Sequence, residues 1–223
     1  AISCRCIQYM FWENNRFMDW LTKFSHMIVL SALWVICSLP VITIGPATIA
    51  LYYAAAKTIR CGIGYPTAEF FRCMKENFRQ GVLVSIGNLF AFLFCYGIYQ
   101  FAMSLGLTNS FGKLYYILFW LVGAAVIFTD YYLISVISRF QLSFRSAVQM
   151  AVYFSVRNLK TEIPMLFTLV GAIVVIYIFS PSLFFLPAAY AFLMTFSTEK
   201  ALGGYIREHM KNSGLETMWF MEL

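Results

Sequence analysis

The sequence predicts an all-α, polytopic membrane protein of about six transmembrane helices joined by cytoplasmic amphipathic elbow helices, and three observations carry that expectation. Of 223 residues, 61% are apolar, 19% are aromatic and only 12% are charged, about half the charge fraction of an ordinary soluble domain. No Asp, Glu, Lys or Arg lies between Lys23 and Lys57, from Gly81 through Gly112, or from Ile163 through Thr198; each run exceeds the roughly 20 residues that one helical crossing needs. Lys and Arg, finally, collect in the segments between alternate apolar runs, as the positive-inside rule requires of cytoplasmic loops.

Taken in order, the expected spans are 24–40, 46–59, 81–104, 114–138, 163–180 and 183–198, in a single integral domain of residues 1–223 whose cytoplasmic tail is 199–223. The first two share one uncharged run, broken at SLPVITIGPAT, residues 38–48. Pro40, Gly45 and Pro46 suit neither the middle of a soluble helix nor a simple span. They read as the outer corner of a hairpin, Pro40 ending one helix and Pro46 entering the next where no N–H is needed; a re-entrant loop is the alternative, since the run is barely long enough for two crossings. Residues 104–112 form a polar turn that limits the third run to one crossing.

With six crossings and both termini inside, every Lys and Arg except Lys113 falls on the cytoplasmic side. Without the second crossing, Lys57, Arg60, Arg72, Lys75 and Arg79 would lie outside. The +6 net charge is thereby explained by topology, with anionic inner-leaflet lipids as partner and nucleic acid not required. Trp12, Trp20, Trp120, Tyr115 and Tyr116 read as interfacial anchors. No cleavable leader is evident, so the first crossing is expected to stay as an anchor. The cysteines form no CxxC pair, and Cys4-Arg5-Cys6 is too tight for an ordinary metal site.

Internal likeness runs through the chain. Pro40-x5-Pro46-Ala47 returns as Pro181-x5-Pro187-Ala188, Tyr52-Tyr53 with Arg60 returns as Tyr131-Tyr132 with Arg139, and Asn77-Phe78-Arg79 returns as Asn158-Leu159-Lys160. The implied unit is an amphipathic elbow, an outward span, a turn and an inward span ending in a basic residue, repeated three times; the plainer alternative, that any polytopic protein carries basic elbows, stays open. Thr67–Arg79 shows the elbow best. Phe70, Phe71, Met74 and Phe78 share one helical face and the charged residues take the other, so it should lie on the inner leaflet. Arg60, Arg72, Lys75, Arg79, Arg139, Arg157 and Lys160 are its lipid-facing cations and those of its counterparts.

Leu33 through Thr48, Ala50-Leu51-Tyr52-Tyr53 with Arg60, Phe70-Phe71, Glu76 through Gln80, Arg139-Phe140 and Arg157-Asn158-Leu159 together resemble the YesL-like family of bacterial membrane proteins, a family of unknown function. Gly45-Pro46 departs from the small polar residue more usual after the glycine. The resemblance implies a protein of the bacterial cell membrane whose genes lie near those for sugar-binding lipoproteins, ABC sugar permeases, glycoside hydrolases and two-component regulators. It implies an accessory role in carbohydrate uptake or sensing, with an ABC transporter or sensor kinase as partner.

Catalytic patterns are sparse. Two histidines, His26 and His209, build no HExxH or three-His site, and neither GxxxxGK[ST] nor GxSxG occurs. No catalytic residue, cofactor or metal ligand is expected, and the protein reads as non-enzymatic. Asp130 is the one ionised residue placed inside a span, and an unpartnered carboxylate there costs a few kcal/mol. Its candidate partners are Lys57, His26, Asn88 and Gln100. A buried interhelical hydrogen bond is the expected role; proton or cation coupling in a small secondary transporter, and a sensor acting with a two-component system, are the alternatives. Ala50 and Ala54 offer small-xxx-small spacing for close helix approach.

Overall fold

The computed structural model describes residues 16–106, 109–140 and 142–209, with the side chains of 16–19, 159–162 and 199–209 excepted. The expectations for Trp12, Cys4 and Cys6, for the Lys160 side chain and for the tail beyond 209 therefore lie outside the described residues. Among those residues the chain is helical, without strands. Its elements are α1 (Arg16–Cys37), a 3₁₀ corner (Val41–Thr43), α2 (Ile44–Ala54) continuing into a π turn (Ala55–Arg60), α3 (Pro66–Glu76), α4 (Phe78–Leu105), α5 (Ser110–Arg139), α6 (Phe144–Arg157), α7 (Leu159–Ile178), a second 3₁₀ corner (Ser180–Phe184) and α8 (Leu186–His209).

Three helices are long and apolar enough to cross a membrane, with windows at Trp20–Cys37, Phe78–Leu105 and Ser110–Arg139; Ile163–Ile178 is a shorter apolar helix. α4 and α5 form an antiparallel hairpin. Tyr99 meets Phe119 at 5.6 Å between ring centroids and Phe101 meets Tyr115 at 4.8 Å, while the outer faces, with Phe90, Leu93, Phe94, Ile117, Trp120 and Leu121, stay exposed. Apolar surface on that scale marks a face for lipid.

Both elbows end alike. Asn77 and Asn158 leave helical geometry at the same kind of backbone position, and each side-chain amide bonds the carbonyl four residues earlier, Cys73 at 3.2 Å and Phe154 at 3.3 Å. Each carbonyl also accepts the backbone N–H of the same Asn at 3.0 Å, so the amide adds a second bond to the last helical turn. The chain then passes directly into α4 or α7.

The structure differs most from expectation at α2. Lys57 pairs with Glu69 at 2.7 Å, Tyr53 accepts from Arg72 at 2.8 Å, and Gly45 packs on Gly81. As one residue number falls the other rises, so α3 and the first turn of α4 run back along the whole of α2. Gly45 N donates to Ser85 at 2.8 Å, three residues below Asn88 on α4. At the other end Arg60 donates to the Thr195 carbonyl at 3.3 Å, beside Met194, whose carbonyl accepts from Tyr131. Midway, the Tyr52 hydroxyl meets Ser135 and Thr198. Both ends and the middle of α2 thus attach at one height on α4, α5 and α8, although α2 with its π turn is about 25 Å long at the helical rise.

α2 therefore lies across the long helices near their elbow ends. The second span expected at 46–59 is not among the helices long and apolar enough to cross; its contacts lay it across the long helices and bring the corner of Pro40, Gly45 and Pro46 beside Gly81, at the elbow's exit. A corner touching Gly81 cannot sit across a membrane from the start of α4. The physical reason is burial: Ala47, Ile49, Ala50, Leu51, Tyr52, Ala54 and Ala55 are all at most 3% exposed. A helix that is apolar all round is sheathed either by lipid or by protein, and here the sheath is protein. Gly45 and Gly81 permit the closest approach, since a Cβ on Gly81 would stand 2.6 Å from Pro46 Cα. Thr43 ties the corner to α1 by donating to the Cys37 carbonyl at 2.6 Å.

Cys73 is buried where α3 faces α2, and burial pushes its thiol up to about 12, whereas Cys61 is half-buried in the α2–α3 loop. A maleimide at pH 8 should alkylate Cys61 and leave Cys73 unmodified until the protein is denatured; peptide mass mapping reads the difference.

Candidate functional site

Asp130 lies on α5 where that helix changes from an exposed apolar surface to a buried one: Trp120 and Leu121 are exposed, while Tyr131, Tyr132 and Val136 are buried. Of the four proposed partners, Asn88 on α4 is the one that stands beside it, the two residues lining the same cavity along the α4–α5 seam. The antiparallel register of α4 and α5 puts the two residues opposite each other. Gln100 lies farther along α4 and donates to Tyr96 at 2.6 Å. Lys57 is held by Glu69 beneath the Tyr53 ring. Nδ1 of His26 is buried on α1 and meets no hydrogen-bond partner among the described residues, and His26 lines neither cavity around Asp130.

Those cavities flank the carboxyl group. One, of about 360 Å³, lies between α5 and the α7–α8 hairpin and is closed below by Thr48, Leu51 and Tyr52 of α2. The other, of about 610 Å³, lies along the α4–α5 seam and is lined by Asn88, Phe92, Tyr96, Tyr99 and Phe119. Asp130 belongs to both walls. Pro187 of the second expected corner lines the smaller cavity, and Pro181 opens the 3₁₀ turn above it.

A second polar cluster escaped sequence reasoning. The Tyr52 hydroxyl joins Thr198 at 2.6 Å and accepts from Ser135 at 3.0 Å and from Arg139 Nη2 at 3.2 Å. Arg139 is 7% exposed, so its expected lipid-facing role is corrected: its guanidinium is turned inward onto α2. Arg60 is half-buried, its guanidinium 4.9 Å from the Phe196 ring. The likeness of Tyr52-Arg60 to Tyr131-Arg139 was visible in the sequence; what could not be read there is that Tyr52 meets Arg139. Removing the hydroxyl with Tyr52→Phe should lower stability by about 1–3 kcal/mol, the cost of stranding buried polar groups, measured as a thermal shift in detergent.

The elbow cations divide by face. Arg72 bridges Glu69 at 2.7 Å and approaches Glu76 at 3.8 Å, Arg157 donates to Tyr153 at 2.7 Å, and Lys75 and Arg79 are exposed. Among the described residues no group of three His, Cys, Asp or Glu side chains could hold a metal ion.

A helical core with long apolar helices exposed at its surface defines a membrane protein. Residues 27–98 match the model of a family described as a protein of unknown function, DUF624, which is consistent with the YesL-like resemblance over α1, the corner, α2, α3 and most of α4. No curated protein and no solved structure matches the chain.

Proposed function

We propose that this chain is a non-enzymatic accessory or scaffold subunit of the bacterial cell membrane, working with a carbohydrate ABC transport system. The observation that carries the choice of scaffold over sugar carrier is the chemistry around Asp130. Sugar sites need many converging donors and acceptors, but the smaller cavity adds to Asp130 chiefly aliphatic and aromatic walls, and the Thr48 hydroxyl in it is already engaged by Trp34 and the Ile44 carbonyl. The YesL-like resemblance supplies the carbohydrate link and the ABC partner.

In this reading the α4–α5 and α7–α8 hairpins cross and return, which leaves the basic segments 57–79 and 139–160 and the tail on the cytoplasmic side. α3 lies along that face over anionic inner-leaflet lipids, with α2 packed behind it. The paired Asn-capped elbows support a repeated hairpin unit, with α7–α8 as its third copy. Purification from native membranes in mild detergent, with inducing sugar present, tests the role: permease or receptor subunits should co-purify, and their consistent absence would overturn it.

One observation favours a second reading, a small secondary transporter: Asp130 borders both cavities. It requires that Asp130→Asn abolish uptake at unchanged abundance, and normal uptake removes it.

A further inference from the structure

The smaller cavity has walls of a particular chemistry, and we infer that it binds a lipophilic organic cation, the charge seated at Asp130 and the apolar body held between α5 and α7. This site does not rest on the accessory role above. Trp34, Tyr52, Tyr131 and Tyr190 line the cavity together with Asp130. Three of those aromatics have their polar tips engaged elsewhere: Trp34 Nε1 donates to Thr48 at 3.2 Å, Tyr131 donates to the Met194 carbonyl at 3.4 Å, and the Tyr52 hydroxyl belongs to the Ser135–Thr198 cluster. They leave ring surface to the cavity. Aromatic faces attract cations through the ring quadrupole, more strongly where water is excluded.

The carboxyl group supplies the second half of the recognition. Asp130 neighbours the Asn88 amide on the α4 side and borders the smaller cavity on the other. An anion would be repelled there, a neutral hydrocarbon would leave the carboxylate's desolvation unrelieved, and a sugar would find too few hydrogen-bonding groups. A cation offsets the desolvation and fills the aromatic walls together. At about 360 Å³ the cavity falls in the size class of small-molecule sites, and it opens among helices whose outer faces, such as Val170 and Val174 of α7, are exposed apolar surface. A ligand that partitions into the bilayer reaches it from the side.

Tetraphenylphosphonium is a suitable probe, its binding to the full chain in nanodiscs measured by scintillation proximity. Saturable binding is expected for the wild type, at least tenfold weaker binding for Asp130→Asn, and retention within a few-fold for Asp130→Glu. Absence of saturable binding to the wild type, or undiminished binding to Asp130→Asn, would overturn the site. Should Asp130→Asn fail to yield monodisperse protein, the wild type alone decides: dicyclohexylcarbodiimide should modify Asp130 from within the bilayer, and tetraphenylphosphonium should protect it. Modification unaffected by the cation counts against the proposal.

Discussion

Gly81→Val is expected to prevent accumulation of the folded protein. The new Cβ would stand 2.6 Å from the Cα and N of Pro46, and both are backbone atoms held in the first turn of α2. No flexible neighbour can yield, so the cost should reach about 3 kcal/mol, the upper end for overpacked sites, a large fraction of a marginal protein's stability of about 5–15 kcal/mol. Gly97→Val on the same helix is the control, because nothing lies within 4 Å of its Cβ position. Fluorescence-detected size exclusion should show a monodisperse peak for the control and aggregate or no protein for Gly81→Val. Equal behaviour of the two would mean that α2 does not press on the start of α4.

Glu69→Ala should be the next most damaging change. Glu69 holds Lys57 at 2.7 Å with both side chains nearly buried, and it also meets the more exposed Arg72. Taking one partner from a buried ion pair costs about 3–5 kcal/mol, because the remaining charge keeps its desolvation penalty; the Arg72 contact, half in water, adds little. The cause can be separated from lost packing. In Glu69→Ala, further replacement of Lys57 by Met should recover much of the melting temperature, since it removes the stranded ammonium, whereas Arg72→Met should recover little. Such a cycle isolates the pairwise coupling.

The elements of this fold were largely legible in the sequence, and their directions were not. Pro66 at the start of α3, the apolar face of Phe70, and Asn77 before α4 announced the first elbow; Asn158 announced the second. Long uncharged runs announced α4 and α5. What misled was α2, because Ala47 through Ala55 satisfy equally a helix in lipid and a helix walled in by its own chain. The discriminating signal was present in its small residues and in Gly45, which suit a crowded protein interior, but composition cannot say which neighbour crowds them. At the candidate site, Asp130 stood out as a lone intramembrane acid and Asn88 was among its possible partners. Choosing Asn88 over Gln100 needed the α4–α5 register, which a short polar turn does not fix from sequence. The Tyr52–Arg139 cluster needed more still, since it joins α2 to residues of α5 and α8 far along the chain.

The transverse placement of α2 is tested most directly by a distance. Spin labels at Ile44→Cys and Arg79→Cys, both exposed positions, on a chain otherwise free of reactive cysteine, can be measured by pulsed electron resonance in nanodiscs. With Gly45 packed on Gly81, the labels should lie within roughly 20–25 Å of each other, less than the ~30 Å of hydrocarbon that separates the two faces of a bilayer. A mean distance well above 30 Å would put the corner and the elbow on opposite faces and contradict the account.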